Sequence, residues 1–237
     1  MTLRRHFLII SAGAALMPQY SWAFDKIPLM LDHLLLGCSD LDQGIAFVEK
    51  HTGVRPAIGG VHPGRGTRNA LLALDKGRYL EVIAPDPAQK EVPEVRAELP
   101  AMLKQLATPE LVGWAVHTLN IEASAGRLRK YGVAFQGPTP GSRARPDGRV
   151  LHWKTLNFDD DRRGLLPFLI EWGADSGHPS ADAPAGCKLE SFAVVSPNPK
   201  VLSAEFGQLG IDVQVEQGAK PELLARILGP GGEMVLG

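Results

Sequence analysis

The chain of 237 residues contains only two cysteines, Cys38 and Cys187, and neither belongs to a CxxC pair. It therefore has too few thiols for a disulfide framework, and it lacks the paired spacing of a zinc ribbon. We expect two buried free thiols. A single disulfide between them is the alternative if the protein is exported to an oxidising compartment.

The sequence also has no excess of one charge, since 25 lysines and arginines stand against 26 aspartates and glutamates, for a net charge of −1. Proteins that bind the phosphates of nucleic acids normally carry a basic excess, so we predict no nucleic-acid partner. With 44% hydrophobic and 22% charged residues, the composition is that of a globular protein and excludes fibrous, collagen-like and low-complexity classes.

Several catalytic motifs are missing as well. There is no P-loop, no HExxH zinc motif and no GxSxG nucleophile elbow. Residues 64–69 carry only the first half of a dinucleotide-binding fingerprint. They lead into a predicted strand and not into a helix, so there is no helix N-terminus to bind a pyrophosphate.

The first 23 residues have the features of an export signal. Arg4 and Arg5 precede an apolar run, and Ser21-Trp22-Ala23 offers a small-x-small cleavage site. A helical run of about eleven residues rises about 16 Å, well short of the roughly 30 Å of a bilayer core, so no stable membrane span is expected. We predict a signal peptide over residues 1–23 and a periplasmic or secreted protein.

The order Arg-Arg-x-Phe-Leu in this segment resembles the twin-arginine export signal, which carries folded proteins. Leu3 directly before the arginines, and the lack of a lysine after Leu8, depart from that pattern. General secretion therefore stays open as the alternative route.

Beyond this segment, one order of elements occurs twice. Each pass begins with an apolar strand, continues with a helix that ends at a glycine, and finishes in antiparallel strands. The passes cover residues 29–87 and 111–175, with a proline-rich linker over 88–110, and residues 186–237 form a partial βαββ module. We predict an α+β fold in which paired βαβββ modules form a curved mixed sheet around a cleft.

Three otherwise apolar strands contain a histidine or a glutamate. His33 shares a face of the first strand with Leu31 and Leu35, and Glu81 and Glu171 occupy matching strands of the two modules. A buried carboxylate is costly unless it is paired or binds a cation. His33, Glu81 and Glu171 are therefore a candidate set for Mn²⁺, Fe²⁺, Ni²⁺ or Zn²⁺. The alternatives are a hydrogen-bonded core histidine and glutamates paired with nearby basic residues.

Two glycine-rich stretches, residues 62–69 and 141–149, are predicted loops at comparable points of the two modules. Glycine lets the backbone approach a ligand, and the guanidinium fork matches carboxylate or phosphate oxygens. Arg68, Arg143 and Arg145 are therefore candidate substrate-binding residues. The alternative is that they are solvated hairpin charges.

These stretches and strands together resemble the glyoxalase-like domain of the vicinal oxygen chelate superfamily. The motifs that carry the resemblance are Leu31-Asp32-His33, His62-Pro63-Gly64, Gly66-Thr67-Arg68-Asn69, Tyr79-Leu80-Glu81, Ser142-Arg143-Ala144-Arg145-Pro146-Asp147-Gly148, Pro167-Phe168-Leu169-Ile170-Glu171-Trp172 and His178-Pro179-Ser180.

The resemblance covers roughly residues 29 to 236. It implies paired βαβββ modules whose sheets enclose a metal, with ligands from the first and last strands of each module. His33, Glu81 and Glu171 match three of these positions. Gly113 occupies the fourth and has no side chain that could bind a metal.

Two functions follow from these observations. The first is a metal-dependent enzyme for a small oxygen-rich, anionic substrate, with a glyoxalase-like lyase or isomerase as the first expectation and a ring-cleaving oxygenase as another. Glu171 and His152 would then transfer protons, although His152 could equally be an ordinary strand histidine. The second is a metal-free protein that sequesters a small molecule between Trp114, Trp153 and Trp172. Either could pair its modules within one chain or as a homodimer.

Overall fold

The computed structural model describes residues 27–75, 77–145 and 147–237. The predicted signal peptide lies outside the described residues. In chain order the elements are β1 (Leu31–Gly37), α1 (Leu41–Thr52), β2 (Ala57–His62), β3 (Thr67–Leu74), β4 (Arg78–Pro85), a 3-10 turn (Glu94–Arg96), α2 (Glu98–Leu103), β5 (Glu110–His117), α3 (Ile121–Lys130), β6 (Phe135–Ala144), β7 (Val150–Phe158), β8 (Phe168–Trp172), a second 3-10 turn (Pro179–Ala181), β9 (Lys188–Ser196), α4 (Pro199–Leu209), β10 (Val215–Gln217), β11 (Glu222–Gly229) and β12 (Gly232–Leu236).

Eight strands form one sheet in the order β2-β3-β4-β1-β5-β8-β7-β6. Strands β1 and β4 are parallel, as are β5 and β8, and the antiparallel pair β1–β5 joins the two halves. Read outward from that pair, each half has the same strand order and the same helix connection. The predicted α+β fold of paired βαβββ modules is therefore confirmed, and the modules pair within one chain.

The helices begin and end at the residues that cap them. Asp40 accepts a hydrogen bond from the Gln43 amide at 2.9 Å at the start of α1, and Asn120 does the same for the Ala123 amide at the start of α3. Helix α1 ends at Gly53, which adopts the left-handed conformation (φ 75°) that glycine favours. Both helices pack on the convex face of the sheet and leave its concave face for the cleft.

The sheet curls until its two edge strands, β2 and β6, meet. A Cβ atom on Gly60 would lie 2.6 Å from the Ala144 carbonyl oxygen, and the Arg143 guanidinium donates to the Gly59 carbonyl. Glycine is needed here because two backbones approach closely. Residues 141–144 therefore belong to a strand and not to a loop, as does Arg68 in β3.

The C-terminal strands form a second sheet in the order β10-β9-β11-β12. It packs on the convex side, where Gly231 donates to the Thr52 carbonyl at the end of α1. Trp114 of β5 is fully buried against Phe192 and Phe206 of this region. The prediction that Trp114 lines a ligand cleft is therefore wrong, because its indole belongs to the core between the two sheets.

Cys38 and Cys187 are both free and buried, which confirms the expectation of unpaired thiols. The Cys38 thiol lies 3.4 Å from the Ile83 carbonyl, and burial raises its pKa to about 11. Among residues 27–75, 77–145 and 147–237, no helix is both long and apolar enough to cross a membrane.

Candidate functional site

A cluster of ionisable side chains is buried on the concave face where the two modules meet. In the pairing of β1 with β4, His33 lies opposite Tyr79, and their rings stack at 4.5 Å. Glu81 follows two residues after Tyr79 and so faces the same way. The His33 Nε2 atom is 3.5 Å from the Glu81 carboxylate, and His33 and Glu81 are 2% and 7% exposed.

Asp32 orients His33 from behind. Its carboxylate contacts the His33 Nδ1 atom at 2.7 Å, the Trp172 indole nitrogen at 3.0 Å and the His178 Nε2 atom at 3.2 Å. Burial alone would raise the pKa of Asp32, but the bonds from His178 and His33 outweigh it and hold that pKa well below its usual range. Asp32 is therefore ionised and contacts the Nδ1 side of the His33 ring, whose Nε2 atom faces Glu81.

Glu81 contacts polar groups on its other side as well. The Asn69 amide donates to Oε1 at 2.8 Å, and the His62 Nε2 atom lies 3.6 Å from the same oxygen. The charges of His62 and His33 together with the Asn69 bond lower the pKa of Glu81, although burial opposes them. Burial lowers the pKa of His62, and Glu81 only partly opposes it. At neutral pH the pair is therefore an ionised carboxylate beside a neutral imidazole.

Arg143 reaches this cluster from the second module. It is 4% exposed, donates to the Gly59 carbonyl of β2, and lies close enough to Glu81 for each to affect the other's pKa. The structure thus brings Arg143 to the buried cluster, and its role in binding substrate stays a prediction. Its guanidinium binds the backbone of the first module and joins the two edge strands.

An open cleft of about 330 Å³ adjoins the cluster. Its walls come from the β2–β3 turn of the first module, from β6 and β7 of the second, and from the first 3-10 turn. The lining residues are His62, Pro63, Arg65, Arg96, Pro140, Gly141, Ser142, His152 and Trp153. His62 belongs both to this lining and to the buried cluster, so it separates the cleft from Glu81.

The family model described as a glyoxalase-like domain matches residues 31–210. The chain belongs to the glyoxalase-like domain family. This confirms the resemblance to the vicinal oxygen chelate superfamily that the sequence motifs carry.

Solved structures with similarity to this glyoxalase-like protein include one from Staphylococcus aureus and one from Mycobacterium tuberculosis. A crystal structure of a hypothetical protein from Staphylococcus aureus matches with a TM-score of 0.65 and 18% identity, over 87% of this chain and 98% of that one. Methylmalonyl-CoA epimerase from Mycobacterium tuberculosis matches with a TM-score of 0.42 and 21% identity, over 60% of this chain and 85% of that one. No curated protein matches the sequence.

Glu171 does not join the cluster of the glyoxalase-like domain. Its neighbours along β8 face the concave side, since Phe168 contacts the His33 ring and Trp172 donates to Asp32. Alternation therefore turns Glu171 to the convex side, where its carboxylate accepts the Ile121 amide at 2.6 Å at the start of α3. The predicted roles of Glu171 as metal ligand and catalytic residue are corrected to a helix cap.

Two of the predicted substrate arginines also face elsewhere. Arg68 precedes Asn69 on β3 and so points to the opposite face, towards Cys38, where its charge only partly opposes the burial that raises the pKa of that thiol. Arg145 forms an ion pair of 2.6 Å with Asp182. Neither guanidinium lines the cleft, so the prediction that they bind substrate is corrected.

The remaining predicted residues lie at the rim or behind the site. His152 is exposed at the edge of the cleft and shares a strand face with Lys154, which contacts Glu122 of α3 at 3.3 Å. This places His152 away from the buried cluster and leaves its acid/base role without a partner there. Trp153 lines the cleft as predicted, whereas Trp172 packs beside it and binds Asp32.

The arrangement of these side chains bears on the predicted metal site. His33 and Glu81 do adjoin, but Glu171 faces α3 and Gly113 has no side chain. Within the part of the chain that the structure describes, no group of three or more His, Cys, Asp or Glu side chains is arranged to hold an ion. The residues present do not fit the predicted metal set.

Proposed function

We propose that this glyoxalase-like protein is an enzyme that binds a small oxygen-rich anion in the cleft and moves a proton on it, with the His62–Glu81 pair as its acid/base group. A lyase or isomerase that removes a proton next to a carbonyl is the reaction class this supports best. One observation carries the proposal: His62 lines the cleft and at the same time lies 3.6 Å from the buried Glu81 carboxylate.

The electrostatics of this pair suit proton uptake. An ionised Glu81 and a neutral His62 can together accept one proton, and the protonated imidazole would then face a carboxylate already in place. His33, held by Asp32, lies on the other side of Glu81 and keeps the carboxylate oriented. We therefore assign His62 as the catalytic residue and Glu81 as the group that stabilises its charged form.

Sequestration of a small molecule without chemistry is the second candidate. The observation that favours it is the low exposure of Glu81, whose two oxygens already have partners in Asn69, His62 and His33. In that case the cluster would stabilise the wall of the cleft and take no proton from the ligand.

Deuterium exchange separates the two candidates. The purified protein would be incubated in D₂O with pyruvate, 2-oxoglutarate and dihydroxyacetone phosphate, and loss of the C–H signal next to the carbonyl followed by NMR. We expect exchange of at least one probe, and a fall of about 10²- to 10⁴-fold in His62→Gln and Glu81→Gln. Glu171→Gln is the matched control, because that carboxylate faces α3, and its rate should stay at the wild-type value.

Binding of a probe without exchange, or equal rates in all these proteins, would favour sequestration. Metal dependence is tested in the same assay by dialysis against EDTA, after which we expect an unchanged rate. A rate that falls and then returns with Mn²⁺, Fe²⁺, Ni²⁺ or Zn²⁺ would restore the metal-dependent enzyme.

The proposal also includes the compartment in which the protein acts. The pattern of Arg4, Arg5 and the apolar run supports export, so that the cleft would meet its ligand outside the cytoplasm.

A further inference from the structure

Among the residues that the structure describes, two arginines that the fold brings to the cleft from different segments form no direct ion pair with a carboxylate. Arg65 lies in the turn between β2 and β3, and Arg96 ends the 3-10 turn that follows β4. Arg143, Arg145 and Arg149, in contrast, each bind a carbonyl or a carboxylate.

The turn that carries Arg65 is held in one conformation. Gly64 and Gly66 have φ values of 66° and 68°, which only glycine adopts readily, and the Arg65 amide donates to the His62 carbonyl at 3.0 Å. The Gln89 side chain accepts from the Gly64 amide at 2.8 Å. These contacts therefore fix the backbone of the turn, and the Arg65 side chain extends from it.

Arg96 is brought beside this turn by the packing of the segment between the modules. A Cβ atom on Gly66 would lie 2.6 Å from Val92, so that segment rests directly on the turn. A Cβ atom on Gly64 would lie 3.7 Å from the Arg96 Nη1 atom. The two cations lie close enough to interact, because burial and the charge of Arg96 together lower the pKa of Arg65.

Two like charges held close together cost free energy, which the charge of Glu81 offsets only in part at Arg65, and an anion bound between them would recover it. Guanidinium groups bind carboxylate and phosphate oxygens through paired hydrogen bonds. Arg65 follows His62 by three residues and lines the same cleft, so an anion bound there would lie beside the acid/base pair.

We infer that Arg65 and Arg96 form a clamp for the oxyanion group, carboxylate or phosphate, of the substrate. That the bound anion is part of a substrate rests on the proposed function. The binding of an anion by the clamp can be measured without turnover.

The probes are malonate and inorganic phosphate, titrated into the full-length protein while tryptophan fluorescence is followed, since Trp153 lines the cleft. We expect saturable binding of at least one probe, and dissociation constants at least about tenfold higher in Arg65→Ala and in Arg96→Ala. The tighter probe identifies the carboxylate or the phosphate as the preferred group. Arg55→Ala is the matched control, because Arg55 is an exposed arginine of the first module that pairs with Glu49.

Thermal unfolding of each variant checks that it is folded, and Arg65→Lys, which keeps the charge, provides a second variant at that site. The clamp is overturned if the wild type binds neither probe, if both alanine variants bind as the wild type does, or if Arg55→Ala weakens binding equally. Anion binding that depends on both arginines, without any deuterium exchange, would support the clamp while contradicting the acid/base enzyme.

Discussion

Glu81 shows how neighbouring groups control one ionisable residue. Its carboxylate is buried, yet its pKa is lowered, because His62, His33 and Asn69 together outweigh the cost of removing it from water. Its placement in an apolar strand was visible in the sequence, and so was that of His33. Asn69 and His62 could not be selected in the same way, because a polar residue near a turn is ordinary.

This cluster predicts that acid destabilises the fold in two steps. His62 has a folded pKa below its usual 6.5, so the unfolded chain takes up a proton first and stability falls as pH drops below about 6.5. The folded pKa of Glu81 is also lowered, so its contribution to stability is lost as the pH drops below its usual pKa of 4.5. Each of these two groups changes the free energy of unfolding by at most about 1.4 kcal/mol per pH unit.

Urea unfolding of the wild type and of His62→Gln, measured from about pH 7 to about pH 4, checks this. Every other ionisable group is present in both proteins, so the difference between the two curves reports His62. We expect that difference to shrink as pH falls below about 6.5. Parallel curves would show that His62 titrates alike in the folded and unfolded chain.

At the scale of elements, the glycine-rich ends of β2 and β6 decide the shape of the sheet. Their sequences indicate loops because glycine is rare in strands. In the structure Gly59 and Gly60 of β2 allow the two edge strands to touch, beside Arg143 and Ala144 of β6, and close the curl around the cleft. A contact between segments so distant in sequence leaves no local pattern, so these two strands could not be recognised from it.

Gly60→Ala tests this closure. The residue has φ 140°, and its new Cβ would lie 2.6 Å from the Ala144 carbonyl oxygen, so we expect a loss of about 1–3 kcal/mol in the free energy of unfolding. Gly126→Ala is the matched control. It lies on the exposed side of helix α3, where among the described residues no atom outside the helix backbone lies within 4 Å of its Cβ, and should gain about 0.5–1 kcal/mol. Chemical denaturation measures both, and equal effects would contradict the close approach.

At the scale of the whole molecule, the second sheet is part of the common core. Strands β9 to β12 cover α1 and the buried Trp114 on the convex side, opposite the cleft. The third pass of strands thus contributes stability to the paired modules and leaves the cleft to residues of the first two and of the segment between them. A homodimer stays a prediction.

Export is the prediction that belongs to the whole chain. When the full-length protein is expressed in a bacterium, we expect it in the periplasm or medium with a new N-terminus at Phe24, because Ala23 ends the small-x-small site. Cell fractionation and N-terminal sequencing provide the measurement. Replacement of Arg4 and Arg5 by lysine should block the twin-arginine route and spare general secretion. Retention of the unprocessed chain in the cytoplasm would contradict export by either route.

Local patterns in the sequence were enough for the repeated order of strands and helices, the family, and the burial of His33 and Glu81 on one face. Local patterns did not predict which groups the charged side chains contact. Glu171 matches Glu81 in its place within the module, yet its strand turns it to α3, since a shift of one residue moves a side chain to the other face of a sheet. Which face becomes concave depends on helices and strands packed against it. That packing joins residues far apart in the chain, and it placed Arg65 and Arg96 at the cleft while it directed Arg68 and Arg145 away from it.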